Sequence, residues 1–132
     1  MARVSYITVG SNDLERAKAF YDPLMASIGL RPVFEHPSGG RLYSGKGMGL
    51  FGVLGPYDGA PASVGNGMMG GFSFDTTEEV DAFHAKALEL GASCEGAPGA
   101  RMPQAYFAYF RDRKSTRLNS SHTDISRMPS SA

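Results

Sequence analysis

The chain has little cysteine and no excess of charge of either sign. Its 132 residues contain one cysteine, Cys94, so an intramolecular disulfide is excluded. Lysine plus arginine equals aspartate plus glutamate at 13 each, and no basic stripe is interleaved with aromatic residues, which argues against nucleic acid as a partner. No apolar run approaches the roughly 20 residues of a bilayer span, and no N-terminal secretory pattern precedes the first predicted strand. We therefore expect a cytoplasmic protein with a small-molecule partner, no membrane and no nucleic acid.

The chain does contain an internal repeat. Residues 6–20 recur 63 residues later as residues 69–83, and each copy is an extended run that leads into a helix with one apolar side. With 42% apolar and 11% aromatic residues, the chain is large enough for one domain with a core. The repeat predicts one fold unit used twice.

The first copy predicts a βαβββ module over residues 1–54. Residues 4–9 alternate as a strand does, and Asn12 with Glu15 has capping-box spacing, so a helix should begin there and end at Gly29. Pro23 lacks an amide donor and should kink or divide this helix. Glycine and proline turns then separate three short strands, expected at residues 31–34, 40–44 and 49–54.

The second copy repeats this order after a connection over residues 55–67, which is rich in glycine and proline. Module two, residues 68–112, should have a strand at 68–74 and a helix that opens near Thr76 with Glu79 at capping-box spacing. Two more strands are expected near residues 92–95 and 105–111. A fourth strand is missing from the pattern before Asp112.

The last 20 residues, 113–132, differ from the rest in composition. They contain six serines and only four apolar positions, so they can bury little surface. We interpret them as a non-native or disordered tail that looks like translated linker or adapter sequence, the alternative being an ordinary flexible C-terminus. Residues 115–118 could still supply backbone hydrogen bonds to a sheet, but we expect weak pairing or none.

Three sequence segments carry a resemblance: SNDLERAKAFY at 11–21, GNG at 65–67 and AYFRD at 108–112. They are similar to the vicinal oxygen chelate superfamily, which includes glyoxalase I, bleomycin-resistance proteins, fosfomycin-resistance enzymes and extradiol dioxygenases. The resemblance covers residues 1–112 and implies an α+β fold. In that fold two βαβββ modules form an open, curved mixed sheet with the helices outside. It also implies a homodimer.

The resemblance further implies a divalent metal held by a histidine on the first strand of each module and a carboxylate on the last. The two histidine positions fall on Tyr6 and Met69, which are not usual ligands for such a metal. Residues 49–54 contain no His, Asp or Glu, and the last carboxylate position falls in the tail. The residues themselves thus predict no metal site and no cofactor, and a divalent metal is implied by the resemblance alone.

Other reactive residues do not replace the missing ligands. The three histidines have no recognised metal spacing, and we interpret them as solvated or helix-flanking; they are His36, His84 and His122. Cys94 has no histidine near it in sequence, which favours a small buried strand residue over a nucleophile. No catalytic residue can be assigned.

Strand alternation instead predicts an aromatic and methionine-rich pocket lining with a few hydroxyls, which suits a mostly apolar small molecule. Its predicted members are Tyr6, Thr8, Tyr43, Phe51, Met69, Ser73, Phe107 and Tyr109. The same residues would equally suit a plain hydrophobic core. The glycines at 67, 70 and 71 would leave space for a ligand or for another backbone.

Three functions follow from these observations. The first is a glyoxalase/bleomycin-resistance-like protein that binds a small organic molecule in the sheet concavity without the usual metal. The second is a metal-dependent lyase, isomerase or dioxygenase, of lactoylglutathione lyase-like or dioxygenase-like type by resemblance only. The third is a structural or interaction domain with a closed core. Fold alone does not decide among them.

Overall fold

The computed structural model of the chain describes residues 1–63, 68–103, 105–112 and 122–127, the last for the backbone only. These residues divide into two compact units. The first contains the described residues up to 63, and the second contains the described residues from 68 onward. Neither described helix is long and apolar enough to cross a membrane.

The first unit is a four-stranded mixed sheet with one helix. Its strands lie in the order β1-β4-β3-β2, in which β1 and β4 are parallel and the other neighbours antiparallel. The sheet is open, since β1 and β2 are its two edges. The elements are β1 (Tyr6–Gly10), α1 (Leu14–Ala26), β2 (Arg31–Glu35), β3 (Arg41–Ser44) and β4 (Leu50–Leu54).

The second unit has the same topology. Its strands lie in the order β5-β8-β7-β6, with β5 and β8 parallel and the other neighbours antiparallel. The predicted α+β fold of two βαβββ modules is confirmed. The elements are β5 (Gly70–Ser73), α2 (Thr77–Glu89), β6 (Ser93–Met102), β7 (Ala105–Arg111) and β8 (His122–Arg127).

The two helices keep the spacing of the sequence repeat. Each has 13 residues, and their first residues, Leu14 and Thr77, are 63 positions apart. The predicted capping box of α2 is confirmed, because Thr76 accepts from the Glu79 amide while the Glu79 side chain accepts from the Thr76 amide. In both copies the cap therefore lies at the same place in the repeat.

One prediction for α1 was wrong, and a second is narrowed. The N-cap is Asp13 and not Asn12: an Asp13 carboxylate oxygen accepts from the Arg16 amide at 3.2 Å. The helix runs through Pro23 without being divided, so that of the two predicted effects of Pro23 only a kink stays a prediction. Pro23 lacks the N–H that would bond the carbonyl of Ala19, and Ala19 is exposed, so water can satisfy that carbonyl.

The core of each unit lies between its helix and one face of its sheet. In the first unit the rings of Tyr21 and Phe51 meet at 5.1 Å between centroids. In the second, Phe83 of α2 packs against Phe72, Phe74 and Phe110 at 5.2–5.8 Å between centroids. Since every sheet has two faces, this packing leaves the opposite face of each sheet uncovered by its own helix.

The last strand lies inside the segment that the sequence predicts to be a tail. The β8 backbone pairs with β5 on one side and β7 on the other, with Asp124 between Gly71 and Tyr109. This placement contradicts the alternative of no pairing, while weak pairing stays a prediction. Residues 115–118, where a tail strand was expected, are outside the described residues. The foreign origin of the segment beyond Asp112 stays a prediction, because backbone pairing does not depend on where the side chains come from.

Candidate functional site

The face of the first sheet that points away from α1 carries a groove. Along β1 and β4 the register pairs Tyr6 with Leu50 and Thr8 with Gly52. The residues that alternate with these along the strands, such as Val9 and Phe51, are buried on the helix side. Alternation therefore puts one set of side chains in the core and the other set in the groove.

The groove is apolar and has a volume of about 320 Å³. Two of its aromatic side chains are largely exposed, Tyr6 at 64% and Phe34 at 55%. Large exposed apolar side chains grouped on one face are a feature of binding surfaces. The groove is lined by Tyr6, Thr8, Phe34, His36, Leu42, Leu50 and Leu54.

Gly52 lies beneath this groove and keeps it open. A Cβ at this position would come within 3.2 Å of Leu42 Cγ and 3.2 Å of Thr8 Cγ2. Such distances are shorter than ordinary van der Waals contact, so a side chain there would have to displace both neighbours. The missing side chain is thus part of the shape of the groove.

A second, wider groove of about 510 Å³ shares Thr8, His36 and Leu54 with the first. Its remaining lining comes from the end of β1 and from residues 55–63 of the connection. Asn12 fixes that connection: its Nδ2 donates to the Ala62 carbonyl at 3.0 Å and its Oδ1 accepts from the Ala62 amide at 2.6 Å. The Asn12 amide pairs with Ala62 as a neighbouring strand would.

His36 stands where the two grooves meet, just after β2. Its Nδ1 is 3.1 Å from the Ser38 amide and 3.0 Å from Ser38 Oγ, and that hydroxyl accepts from the Gly55 amide at 3.0 Å. The Phe34 ring lies edge-on to the imidazole, 6.5 Å between centroids. His36 was predicted to be a solvated residue in a turn, and it is half-buried at the groove.

The predicted pocket residues of the first unit are divided between the two faces. Tyr6 and Thr8 line the groove as expected. Tyr43 and Phe51 lie on the other face, where they are 0% and 4% exposed. These two therefore belong to the core beneath α1. Alternation from Leu50 through Gly52 to Leu54 could have identified the groove side of β4.

The predicted pocket residues of the second unit lie on β7 and in or next to β5. Phe107 and Tyr109 stack with a centroid distance of 6.0 Å and an interplanar angle of 12°. The Arg101 guanidinium is 5.5 Å from the centre of the Tyr109 ring, within cation–π range. Met69 and Ser73 are exposed. Phe107 and Ser73 both pair with Ser126 of β8, so they lie on either side of the same residue in the sheet.

A polar cluster lies on the helix side of the first sheet. Tyr43 donates to Asp22 Oδ1 at 2.5 Å, and Arg41 donates to Asp22 Oδ2 at 2.8 Å and also pairs with Glu35. Burial, followed by the hydrogen bond to Asp22, raises the pKa of Tyr43 above its ordinary value. The phenol therefore stays protonated and acts as a structural donor that joins β3 to α1.

The remaining reactive residues do not form a metal centre. Across the described ranges no three His, Cys, Asp or Glu side chains come together as metal ligands do. His84 is 4% exposed and bonded through Nε2 to the Tyr109 carbonyl at 3.2 Å; burial lowers its pKa. The prediction that Cys94 is buried was wrong: it is exposed on β6, next to the register shift between Cys94 and Gly96.

The positions that the resemblance assigns to a divalent metal carry side chains of another chemistry. The two histidine positions hold Tyr6 and Met69, and β4 is Leu-Phe-Gly-Val-Leu. A phenol and a thioether are poor substitutes for imidazole at a divalent centre, and the apolar β4 offers no carboxylate. These residues do not fit a divalent metal.

Comparison with known proteins identifies the family. The model of the Glyoxalase/Bleomycin resistance protein/Dioxygenase superfamily matches residues 3–119. The chain belongs to this superfamily. A glyoxalase/bleomycin resistance protein of known structure from Albidiferax ferrireducens T118 is 33% identical, with a TM-score of 0.80 over 96% of this chain and 98% of that one.

More distant superfamily structures share the fold. The lactoylglutathione lyase from Agrobacterium tumefaciens is 20% identical, with a TM-score of 0.65 over 96% of this chain and 94% of that one. A genomically encoded fosfomycin resistance protein from Listeria monocytogenes is 16% identical, with a TM-score of 0.67 over 96% and 93% of the two chains. None of the curated proteins is a significant match. These two likenesses show the fold alone and leave the activity open.

Proposed function

We propose that this superfamily member binds a small, largely apolar organic molecule in the groove of its first unit, and that it does so without the usual divalent metal. The observation that carries the proposal is the apolar groove itself, about 320 Å³ in volume, with Tyr6 and Phe34 exposed at its rim. A volume of this order is at the lower end of small-molecule sites. Bound ligand would cover apolar surface that is otherwise in contact with water.

The chemistry of the lining supports a binding role over a catalytic one. Within the described part of the chain, the surface of the groove is apolar throughout, and Thr8 and His36 contribute to it through their carbon atoms. A phenol, a thioether and an apolar β4 at the family's metal positions support the absence of the usual metal. The proposed role is sequestration or recognition of a ligand, in a cytoplasmic homodimer by analogy with the superfamily.

The direct test is titration with an apolar probe, 2-isopropylnaphthalene, followed by chemical-shift changes in ¹H–¹⁵N spectra. Binding should shift the amides of β1, β4 and the end of β2. Phe34→Asp, which places a carboxylate at the groove, should weaken binding at least tenfold. Val33→Asp is the matched control, because Val33 is the next residue in β2, is 49% exposed and is not among the lining residues.

Either of two results would contradict this proposal and favour another function. Absence of any shift with the unmodified protein would remove the small-molecule role and favour an interaction domain. Stoichiometric, tight binding of nickel, zinc, manganese or iron(II) to protein prepared without a histidine tag would favour the metal-dependent lyase, isomerase or dioxygenase. Light scattering at micromolar concentration tests the homodimer separately.

A further inference from the structure

We infer that His36 determines ligand specificity by donating a hydrogen bond from Nε2 to an uncharged acceptor, such as a ketone or amide oxygen, on a ligand whose apolar part fills the groove. This inference rests on the proposed function and names the class of ligand. The ligand would be amphipathic, with a flat or aliphatic body against β1 and β4 and a polar head where the two grooves meet.

The hydrogen bonds around His36 fix which nitrogen carries its proton. The Ser38 backbone N–H can only donate, and it lies 3.1 Å from Nδ1, so Nδ1 must present its lone pair. In the neutral ring the proton is then on Nε2. Ser38 Oγ is held in turn by the Gly55 amide at 3.0 Å, which ties this arrangement to the end of β4.

The backbone around His36 holds the ring in place. The His36 amide donates to the Gly40 carbonyl at 2.8 Å, and the Gly39 amide donates to the His36 carbonyl at 2.9 Å. Gly39 has a φ of +98°, a conformation that glycine adopts without strain. These bonds fix the backbone of the turn, and the Ser38 amide on Nδ1 holds the ring itself, so a donor held in place costs less to engage.

The Nε2 atom faces no protein acceptor within the described residues, although His36 lines both grooves. Phe34 beside it supplies apolar surface on one side. Thr8, which is common to both grooves, lies at the same junction. One fixed donor beside an apolar surface is an arrangement that orients a ligand with a single acceptor.

The charge of the lining favours an uncharged head. Asp58 is the one carboxylate among the residues that line the wider groove, and that described lining has no lysine or arginine. A carboxylate or phosphate head would therefore meet a negative charge and find no fixed cation. A ketone or amide oxygen carries no charge, so it is not repelled by Asp58 and needs no cation to bind.

The test compares three probes of matched shape on the unmodified protein: 2-isopropylnaphthalene, 2-acetylnaphthalene and 2-naphthoate. The acetyl compound should bind about fivefold to tenfold more tightly than the isopropyl compound, because it adds one hydrogen bond. The naphthoate should bind more weakly than the acetyl compound. His36→Phe, which keeps an aromatic ring and removes the donor, should abolish the acetyl preference, measured as the ratio of the acetyl and isopropyl affinities, and His36→Gln should restore part of that ratio.

Tyr57→Phe is the matched control, since it removes a hydroxyl from the wider groove only, and it should retain the preference. A two-bond ¹H–¹⁵N spectrum should show His36 with its proton on Nε2 and a shift of that nitrogen with the acetyl probe. Equal binding of acetyl and isopropyl probes would overturn the inference while the groove stands. Tighter binding of naphthoate would overturn it too, whereas failure of every probe would overturn the proposed function.

Discussion

Both modules join a strand to their helix through a tyrosine, but the aspartate that accepts the bond lies at a different helix position in each. Tyr43 and Tyr106 are 63 residues apart, at equivalent positions of the repeat, and each donates to a carboxylate on the helix of its own unit. Tyr43 reaches Asp22 from a fully buried position, and Arg41 shares that carboxylate. Tyr106 is half-exposed and reaches Asp81, about one helical turn earlier in the repeat than Asp22. The strand position was kept, while the helix position and the degree of burial changed.

The faces away from the helices differ as well. Tyr6, Thr8 and Gly10 of the first module correspond in the repeat to Met69, Gly71 and Ser73. The first set takes part in the two grooves, and its neighbours on β4 are Leu50 and Leu54. In the second, Gly71 and Ser73 are exposed and pair with Asp124 and Ser126. A duplicated framework can thus keep its topology while one copy acquires the apolar surface.

The largest expected effect concerns the core aromatic that the modules share. Phe20→Ala and Phe83→Ala should each lower the free energy of unfolding by about 3–5 kcal/mol, because both rings are 1% exposed and a cavity would remain. Urea unfolding measures both. If either variant lost less than about 1 kcal/mol, the two helices would not be equivalent in packing. Ala82→Gly, at an exposed position of α2, is a control for helix propensity alone.

The tyrosine pair should give the next largest difference. Tyr43→Phe should cost about 1.5–3 kcal/mol, because it removes a bond to a charged group from a buried position. Tyr106→Phe should cost less than about 1 kcal/mol, because water can replace its bond to the exposed Asp81. Urea unfolding of both variants measures these two losses of unfolding free energy. Equal losses would mean that burial does not distinguish the two sites.

Hydrogen exchange sharpens the comparison of the last strands. We propose that the chain beyond Asp112 supplies β8 through its backbone, with side chains foreign to the fold. The sequence of β8 has one aliphatic residue, Ile125, whereas β4 has four apolar side chains among its five residues. Amides of β8 should therefore exchange at least tenfold faster than those of β4, a difference of about 1.4 kcal/mol in opening free energy. Equal protection would refute the weak pairing expected for the last strand.

The smallest effect is a pH dependence confined to the second module. Burial lowers the pKa of His84, so below about pH 6.5 the unfolded state binds a proton that the folded state does not. The free energy of unfolding should accordingly fall as the pH decreases from about 7.5 to 5.5. His84→Gln should flatten this dependence, and Lys86→Gln, a change elsewhere on the same helix, should not. Tyr21, the module-one equivalent of His84, carries no imidazole.

Much of the fold could be read from the sequence because it depends on local signals. Thr76 with Glu79 gave the start of α2, and the 63-residue repeat is reproduced by the two helices. The cap of α1 was placed one residue early because Asn12 also has capping chemistry, and its use for Ala62 depends on a contact 50 residues away. The last strand was misplaced because the pairing partners of β8 are not encoded in its own composition.

The candidate site was harder to predict than the fold. Alternation gives Tyr6 and Thr8 a common face, but it does not say which face of β3 and β4 is covered by the helix. Tyr43 was assigned to the pocket on its aromatic character, and its hydroxyl instead meets Asp22. His36 was overlooked because its role depends on the Ser38 and Gly55 contacts, which sequence spacing does not reveal.

The bonds between Asn12 and Ala62 also bear on how the chain can be cut. A protease needs an extended stretch of backbone, and glycine- and proline-rich connections between structural units are common sites of nicking. By holding both polar groups of Ala62, the Asn12 amide denies part of residues 55–63 that freedom. We therefore expect a protease to cut this connection faster when Asn12 is replaced, so that the residue at position 12 controls how easily the chain is cleaved there.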